Sequence, residues 1–223
     1  MKLKFNKSNK PIPHLSDNSR WDLVLFVAAI VIVSLISTEL IADERALYSK
    51  APKDSAFIRL ISTSGKQKVA LNGKSLSSPG NCHAGNYIYL PPRKYRVNSK
   101  SVSWQGNLEA NKAYSLVVDN DTTYVLHEDL FRNRLKGMLS VYNLSESEVL
   151  SIKTTRGERS VFSEIKTRSL ASRLVNPTKL SLSIYRNQQK DHDSKSGLLR
   201  RGAINTLLIC DANKGLASHW VTN

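Results

Sequence analysis

The chain has 223 residues, with 33 Lys and Arg against 18 Asp and Glu and a formal net charge of +15. Hydrophobic residues make up 40%, with only 10 Gly and 7 Pro, which excludes a collagen-like, disordered or polytopic membrane protein and leaves room for one large or two small domains. Two cysteines, Cys82 and Cys210, exclude a disulfide framework and, without Cys-x-x-Cys spacing, a structural zinc site.

The first segment is an export element. Lys2, Lys4, Lys7, Lys10 and Arg20 precede an apolar run from Leu23 to Ile36 interrupted only by Ser34. As a helix, the uncharged stretch from Leu23 to Thr38 spans roughly 24 Å at about 1.5 Å per residue, short of the ~30 Å hydrocarbon layer. A signal peptide over 1–42, cut before Asp43, is therefore expected ahead of the alternative, an uncleaved anchor with its basic flank inside. Either way the remaining chain lies outside the cytoplasm, out of reach of nucleic acid. The positive surplus is then either a solvated surface or a surface for anionic lipid headgroups or an anionic polysaccharide; the membrane itself is touched only if the leader is retained.

After a linker over 43–54, short alternating runs bounded by turn residues predict an all-β fold. Residues 67–71 and 74–76 flank Asn72-Gly73, whose ready access to positive φ suits a tight hairpin. Residues 87–90 stop at Pro91-Pro92, strands resume at 95–98 and 101–105, and 113–118 turn at 119–121 to return as 123–126, about seven strands in all. A polar basic stretch, Glu128 to Lys136, separates this set from a second one.

Met138 to Tyr142 answers Phe57 to Ile61, Val149 to Lys153 answers Lys68 to Leu71, and Ile204 to Ile209 answers Ala113 to Val118, at an offset drifting from about 81 to about 91 residues. Two tandem β-sandwich domains, 55–128 and 138–223, joined by a basic linker at 129–137, are the economical reading. Leu180 to Ile184 reads as one half-buried strand of the second domain, and Gln188 to Ser196 as its most polar loop.

Chemistry is sparse. No Gly-x-Ser-x-Gly is present, and the only compact set of suitable types, Asp191-His192-Asp193-Ser194, reads as solvated loop. His14, His83, His127 and His219 lack metal-ligand spacing, and no Gly-rich phosphate loop opens a helix. Catalytic, cofactor-binding and metal-binding residues are accordingly expected to be none. Trp104 and Trp220 read as core anchors rather than sugar platforms. In an oxidising compartment Cys82 and Cys210 can form one bond between the halves, but their spacing does not bring them together, and separate thiols are expected.

The loop-borne cations are the candidate contacts. Arg132, Arg134 and Lys136 fill the linker, Arg156 and Arg159 flank a turn at Gly157, and Arg200 and Arg201 precede Gly202. Guanidinium forks pair bidentately with carboxylates, so these residues suit uronate groups or acidic patches of a partner protein.

From Ala42 to Tyr48 and Ala51 to Leu60 the chain resembles the AlgF family of exported proteins required for O-acetylation of alginate. The resemblance continues through Tyr89-Leu-Pro-Pro92 with Tyr95, the strands at 113–118 and 141–145, Val175 to Leu180, and His219 to Thr222. It implies a periplasmic β-sandwich protein without a catalytic centre, an adaptor working beside the O-acetyltransferases that modify polymannuronate. The competing expectation, from Asn72-Gly-Lys74 and residues 89–97, is a glycan-binding β-domain of the envelope with no role in acetylation.

Overall fold

Apolar runs separated by Asn, Asp, Gly and Pro become strands along the chain, and no helix occurs among the described residues. The structure, a computed structural model, describes residues 51–221 apart from 100, 101, 121, 147, 148, 157, 158 and 214. The leader, its candidate cut after Ala42, His14 and the linker residues 43–50 lie outside the described residues.

The first half contains β1 (Ala56–Ser62), β2 (Gln67–Leu71), β3 (Lys74–Ser78), β4 (His83–Ala84), β5 (Ile88–Leu90), β6 (Arg93–Asn98), β7 (Ser103–Leu108), β8 (Lys112–Asp119) and β9 (Thr122–Asp129). One sheet has the order β4-β1-β8-β9, with β5 also on β1. Hairpins β2–β3 and β6–β7 cover one of its faces. Asn72 and Gly73 adopt φ of 52° and 74°, the two left-handed residues of the expected hairpin turn. Ile58, Leu60, Tyr114 and Leu116 meet Val69, Leu76, Val97 and Leu108 in the core between these layers, with Trp104 packed against it.

The second half contains β10 (Gly137–Asn143), β11 (Val149–Thr154), β12 (Ser160–Lys166), β13 (Ser169–Val175), β14 (Thr178–Leu180), β15 (Leu182–Arg186), β16 (Gln189–Asp193), β17 (Gly197–Leu199), β18 (Ile204–Ala212) and β19 (Gly215–Val221). Sheets β13-β10-β18-β19 and β12-β11-β15-β16 enclose Leu139, Val141, Leu207 and Ile209 against Leu150, Ile152, Leu182 and Ile184. The internal repeat is present in the ladders. Phe57 pairs with Ala113 where β1 runs parallel to β8, and Met138 pairs with Ile204 where β10 runs parallel to β18.

Several sequence expectations change. The first half carries β1 to β9 among the described residues, where about seven strands are expected; the expected strand at 87–90 is β5, while the short β4, His83–Ala84, which pairs with β1, had no counterpart in the sequence reading. The run Leu180 to Ile184 breaks at Ser181: β14 pairs with β17 while β15 joins β11, and β15 is buried on both faces except at Arg186. The loop expected at Gln188 to Ser196 contains β16, paired with β15.

The halves pack back to back. Every residue of β1 is buried because one face serves the first core and the other faces the second half, which erases the alternation of a half-buried strand. Ile61, Val117 and Cys82 there meet Tyr142, Leu144, Leu208 and Cys210.

Arg59 lies inside this junction, fully buried. Its Nε donates to Ser115 Oγ at 2.9 Å, and its Nη2 reaches Glu128 Oε1 at 3.2 Å and Tyr142 Oη at 3.0 Å. Tyr87 also donates to Glu128, and the guanidinium lies 4.6 Å from the centre of the Tyr87 ring. Burial opposes the charge on Arg59, yet the Glu128 carboxylate and the neighbouring Tyr142 and Tyr87 hold its pKa well above the usual arginine value. Burial likewise pushes the Tyr142 hydroxyl above the ordinary tyrosine range. Glu128, the first residue of the polar stretch read from the sequence, is a buried residue of β9, where its carboxylate neutralises Arg59.

Cys82 and Cys210 form a disulfide across the junction, with Cα atoms 6.0 Å apart, which corrects the expectation of separate thiols. Asn81 and Cys82 adopt φ of 52° and 64°, a left-handed corner that aims the Cys82 side chain at the end of β18. Beside it, the rings of His83 and His219 stand 4.7 Å apart, so two histidines widely separated in sequence face each other between the halves. Burial, with the charges of His83 and Lys195, lowers the His219 pKa.

Three outcomes follow from these links. Arg59→Met is expected to lower the free energy of unfolding by ~3–5 kcal/mol because Glu128 keeps its burial and loses its cation. Adding Glu128→Gln is expected to restore part of that loss, as urea unfolding of both single variants and the double variant measures. Reduction of the disulfide, which closes a loop of sequence separation 128, is expected to cost on the order of 5 kcal/mol, read from the urea midpoint with and without dithiothreitol. Because the folded pKa of His219 lies below its unfolded value, its contribution is complete above about pH 6.5 and is lost as pH falls. The urea midpoint is therefore expected to decline on acidification from about pH 7.5 to about pH 5.5, and to decline less in His219→Gln.

Candidate functional site

Strand directions place the basic loops together. β1 and β8 begin, and β9 ends, where Asn111 N donates to Ser55 O at 2.9 Å. In the second half β10 and β18 begin and β13 ends at Gly137, Ile204 and Val175, beside the linker. Gly202 N donates to Lys136 O at 2.7 Å, and Arg200 N to Asn205 Oδ1 at 2.8 Å, which seats the Arg200–Gly202 turn on the linker. Gly137 permits that approach: a Cβ there would stand 2.5 Å from Arg200 O. The Thr154–Arg159 turn, closed by Thr154 N donating to Arg159 O at 2.8 Å, emerges at the same end, since Arg173 at the close of β13 donates to Val161 O at 2.9 Å.

All seven expected contacts, Arg132, Arg134, Lys136, Arg156, Arg159, Arg200 and Arg201, are therefore exposed at one end of the molecule. Gly157, taken as the centre of one turn, lies outside the described residues. The opposite end carries Asp119, Glu146 and Asp211, the last accepting from Glu146 N at 2.8 Å. Exposed large apolar side chains also gather at the cationic end: Leu135 in the linker is 75% exposed, Leu198 on β17 58%, and Leu174 near the end of β13 47%. A groove of about 560 Å³ opens there between the segment 51–55, Asn111 and the linker, with Lys53, Arg132 and Arg134 on its walls and Phe57, Leu130 and Phe131 at its base.

The sequence Asp191–Ser194 is not the solvated loop expected. A register shift in the β15–β16 ladder pairs Ile184 with His192 and Tyr185 with Lys190, leaving Asp191 as the extra residue. Such a bulge turns two consecutive side chains toward each other. His192 Nδ1 lies 2.8 Å from Asp191 Oδ2, and Nε2 lies 2.8 Å from Ser218 Oγ on β19. A carboxylate accepts only, so Nδ1–H donates to Asp191, and with the ring neutral Nε2 accepts from the Ser218 hydroxyl, the order of an Asp–His–Ser relay. Asp191 is also held by Arg186 Nη2 at 3.1 Å and Leu216 N at 3.3 Å. The set thus fastens one sheet of the second half to the other. Ser218 sits within a ladder opposite Ile209, unlike a serine on a turn whose open N–H groups form an oxyanion site.

The remaining candidates are structural. Trp104 packs on the first core, and Trp220 packs on the second while its Nε1 donates to Lys195 O at 2.8 Å. Among the described residues no group of three or more His, Cys, Asp or Glu side chains is placed to hold a metal ion.

The family profile described as "Alginate O-acetyl transferase AlgF" matches residues 30–206. The chain belongs to the AlgF family. It is 31% identical over 183 residues to the alginate biosynthesis protein AlgF of Pseudomonas aeruginosa, a match covering 81% of this chain and 84% of that protein. Its counterpart in Azotobacter vinelandii is 30% identical over 183 residues, with 81% of this chain and 84% of that protein covered. The solved C-terminal domain of AlgF from P. aeruginosa aligns over 40% of this chain and 99% of its own length, at 30% identity and a TM-score of 0.36.

Proposed function

We propose that the chain is a non-catalytic periplasmic adaptor required for O-acetylation of alginate, with the halves 55–128 and 138–223 as its two domains. It docks periplasmic and membrane-associated O-acetyltransferases through the cationic end. The observation that carries this reading is the gathering of Leu135, Leu174 and Leu198 among the exposed arginines of that end. Exposed leucines scattered singly need no explanation, but apolar anchors ringed by arginine have the composition of a protein-binding surface. The family and its relatives, alginate biosynthesis proteins, supply the process in which such a surface is used.

A second reading, a self-sufficient acyltransferase, draws on the Asp191–His192–Ser218 relay and on the family's description. In it Ser218 carries the acetyl group; in the adaptor reading Ser218 joins two sheets and transfers nothing. Deleting the protein is expected to leave polymer secretion intact and to remove acetyl esters from the product, measured by NMR. Leu135→Lys with Leu198→Lys is expected to do the same while the purified variant keeps its circular dichroism. Ser218→Ala is expected to retain acetylation. Normal acetylation without the protein contradicts the adaptor reading, and loss of acetylation in a folded Ser218→Ala protein supports the enzyme reading.

A further inference from the structure

We infer that the outer face of the first half, built by the hairpins β2–β3 and β6–β7, is a docking surface for an anionic lipid bilayer. The inference goes beyond the adaptor reading and does not depend on it. It sets the fold itself against a membrane, where the sequence suggested contact only through a retained leader.

Charge along the chain is the first observation. Between Asp54 and Glu109 there is no Asp or Glu, yet eight Lys and Arg fall in that stretch. Arg59 is the buried partner of Glu128, Lys100 lies outside the described residues, and Lys74 Nζ turns to the sheet edge, donating to Tyr89 O at 2.7 Å. The other five, Lys66, Lys68, Arg93, Lys94 and Arg96, are exposed, and among the described residues none of them has a carboxylate within ion-pair distance.

The pleat puts them on one side. Val69 and Leu71 on β2, and Tyr95 and Val97 on β6, point into the first core, so the alternating Lys68, Lys94 and Arg96 point away from it. β2 lies beside β6, which brings the three outward cations onto neighbouring strands. Their cross-strand partners are neutral: Lys68 faces Ser77, Lys94 faces Asn107 and Arg96 faces Gln105. Arg93 opens β6 at the rim, with its guanidinium 5.1 Å from the centre of the Tyr95 ring and Nη2 donating to Asn72 Oδ1 in the hairpin turn. The hairpins cover one face of the sheet β4-β1-β8-β9 and the second half packs on the other, so this cationic face is turned to solvent.

Like charges gathered on one face repel each other, and with no carboxylate among them an external anion is left to neutralise them. The composition of the face selects which anion. A protein partner is held by apolar and aromatic anchors at the centre of the contact, and exposed ion pairs alone add little. The large apolar side chains exposed among the described residues, Leu135, Leu174 and Leu198, stand at the cationic end instead. The remaining outward positions of the two hairpins are Ala, Ser, Asn and Gln. A bilayer needs no apolar anchor. Its headgroup phosphates form a plane of negative charge that attracts each nearby Lys or Arg additively, and hydroxyl and amide groups between the cations can donate to phosphate oxygens. Two hairpins lying side by side offer the broad face that meets such a plane. Docked in this way the strands run along the bilayer, and the loops at their ends stay clear of the lipid.

Co-sedimentation of the purified full chain with vesicles of phosphatidylcholine containing about one-third phosphatidylglycerol, at about 0.15 M salt, tests the inference, with vesicles of phosphatidylcholine alone for comparison. Lys68→Gln, Lys94→Gln and Arg96→Gln combined are expected to lower the partition coefficient on anionic vesicles on the order of 100-fold, about fivefold for each cation. Arg156→Gln, Arg159→Gln and Arg200→Gln combined remove the same charge from the end loops and are expected to stay within about threefold of the wild type, being screened from a surface they do not touch. All six positions are exposed, and circular dichroism confirms that each variant folds. Hydrogen exchange on the vesicle-bound chain separates the face from the leader: slowed exchange in 66–78 and 93–107 is expected on anionic vesicles and not on neutral ones. Equal exchange in those segments on both vesicles overturns the inference in favour of attachment by the leader alone. An equal loss in the two triple variants overturns it in favour of diffuse charge. Unchanged vesicle affinity in the face variant, with loss of its binding to an acetyltransferase, overturns it in favour of a protein-docking face.

Discussion

A guanidinium taken fully out of water must be neutralised where it stands, and the arrangement of both halves follows from the way Arg59 meets that demand. Glu128 supplies the charge from β9, Ser115 the Nε acceptor from β8, and Tyr142 a hydroxyl from the second half. Two sheets that each expose an apolar back are thereby brought into one register, with Ile61 and Val117 against Tyr142 and Leu208. Hydrophobic contact alone is non-directional; the buried cation adds a geometric requirement that a slid or rotated packing does not satisfy. The Cys82–Cys210 bond fastens the other end of the same junction.

Holding the halves in this way also fixes where their surface loops stand. The loops that carry these arginines come from the linker, Arg132 to Lys136, and from the second half, Arg156, Arg159, Arg200 and Arg201. Segment 51–55 and Asn111 come from the first, and they complete the groove. A surface assembled from two packed halves keeps its shape only as long as they do not move against each other. In the adaptor proposed above, this rigidity serves as positioning: the exposed loop arginines stay at a fixed offset from Leu135 and Leu198.

Much of the fold was legible in the sequence because local chemistry decided it. Asn72-Gly73 marked its hairpin, Pro91-Pro92 ended β5, and the internal repeat equated Met138 with Phe57 and Ile204 with Ala113, the opening pairs of the two parallel ladders. What escaped was long-range. Arg59 stands within the apolar run Phe57 to Ile61 and needs a buried partner, but Glu128 sits among polar neighbours in the sequence and is placed opposite it only when β9 is paired with β8. The relay of Asp191, His192 and Ser218 depends on a bulge and on a serine 26 positions away from the histidine, neither visible as a motif. The disulfide left one usable sign, a cysteine in each half of a chain whose leader reads as an export element, with Gly80-Asn81 turning into the first. The candidate cationic residues were named one by one from the sequence, yet their convergence on one end, and the part played by Asn111 and Asn133 in shaping the groove, required the strand directions.

The central claim, that the cationic end is where this protein meets its acetyltransferase partners, is tested most directly by hydrogen–deuterium exchange on the full chain, alone and bound to those partners. The account predicts slowed exchange in the backbone of 130–137 and 198–203, with little change at 81–84 and 209–213 on the opposite end. Protection confined to the opposite end, or none at either, would contradict it.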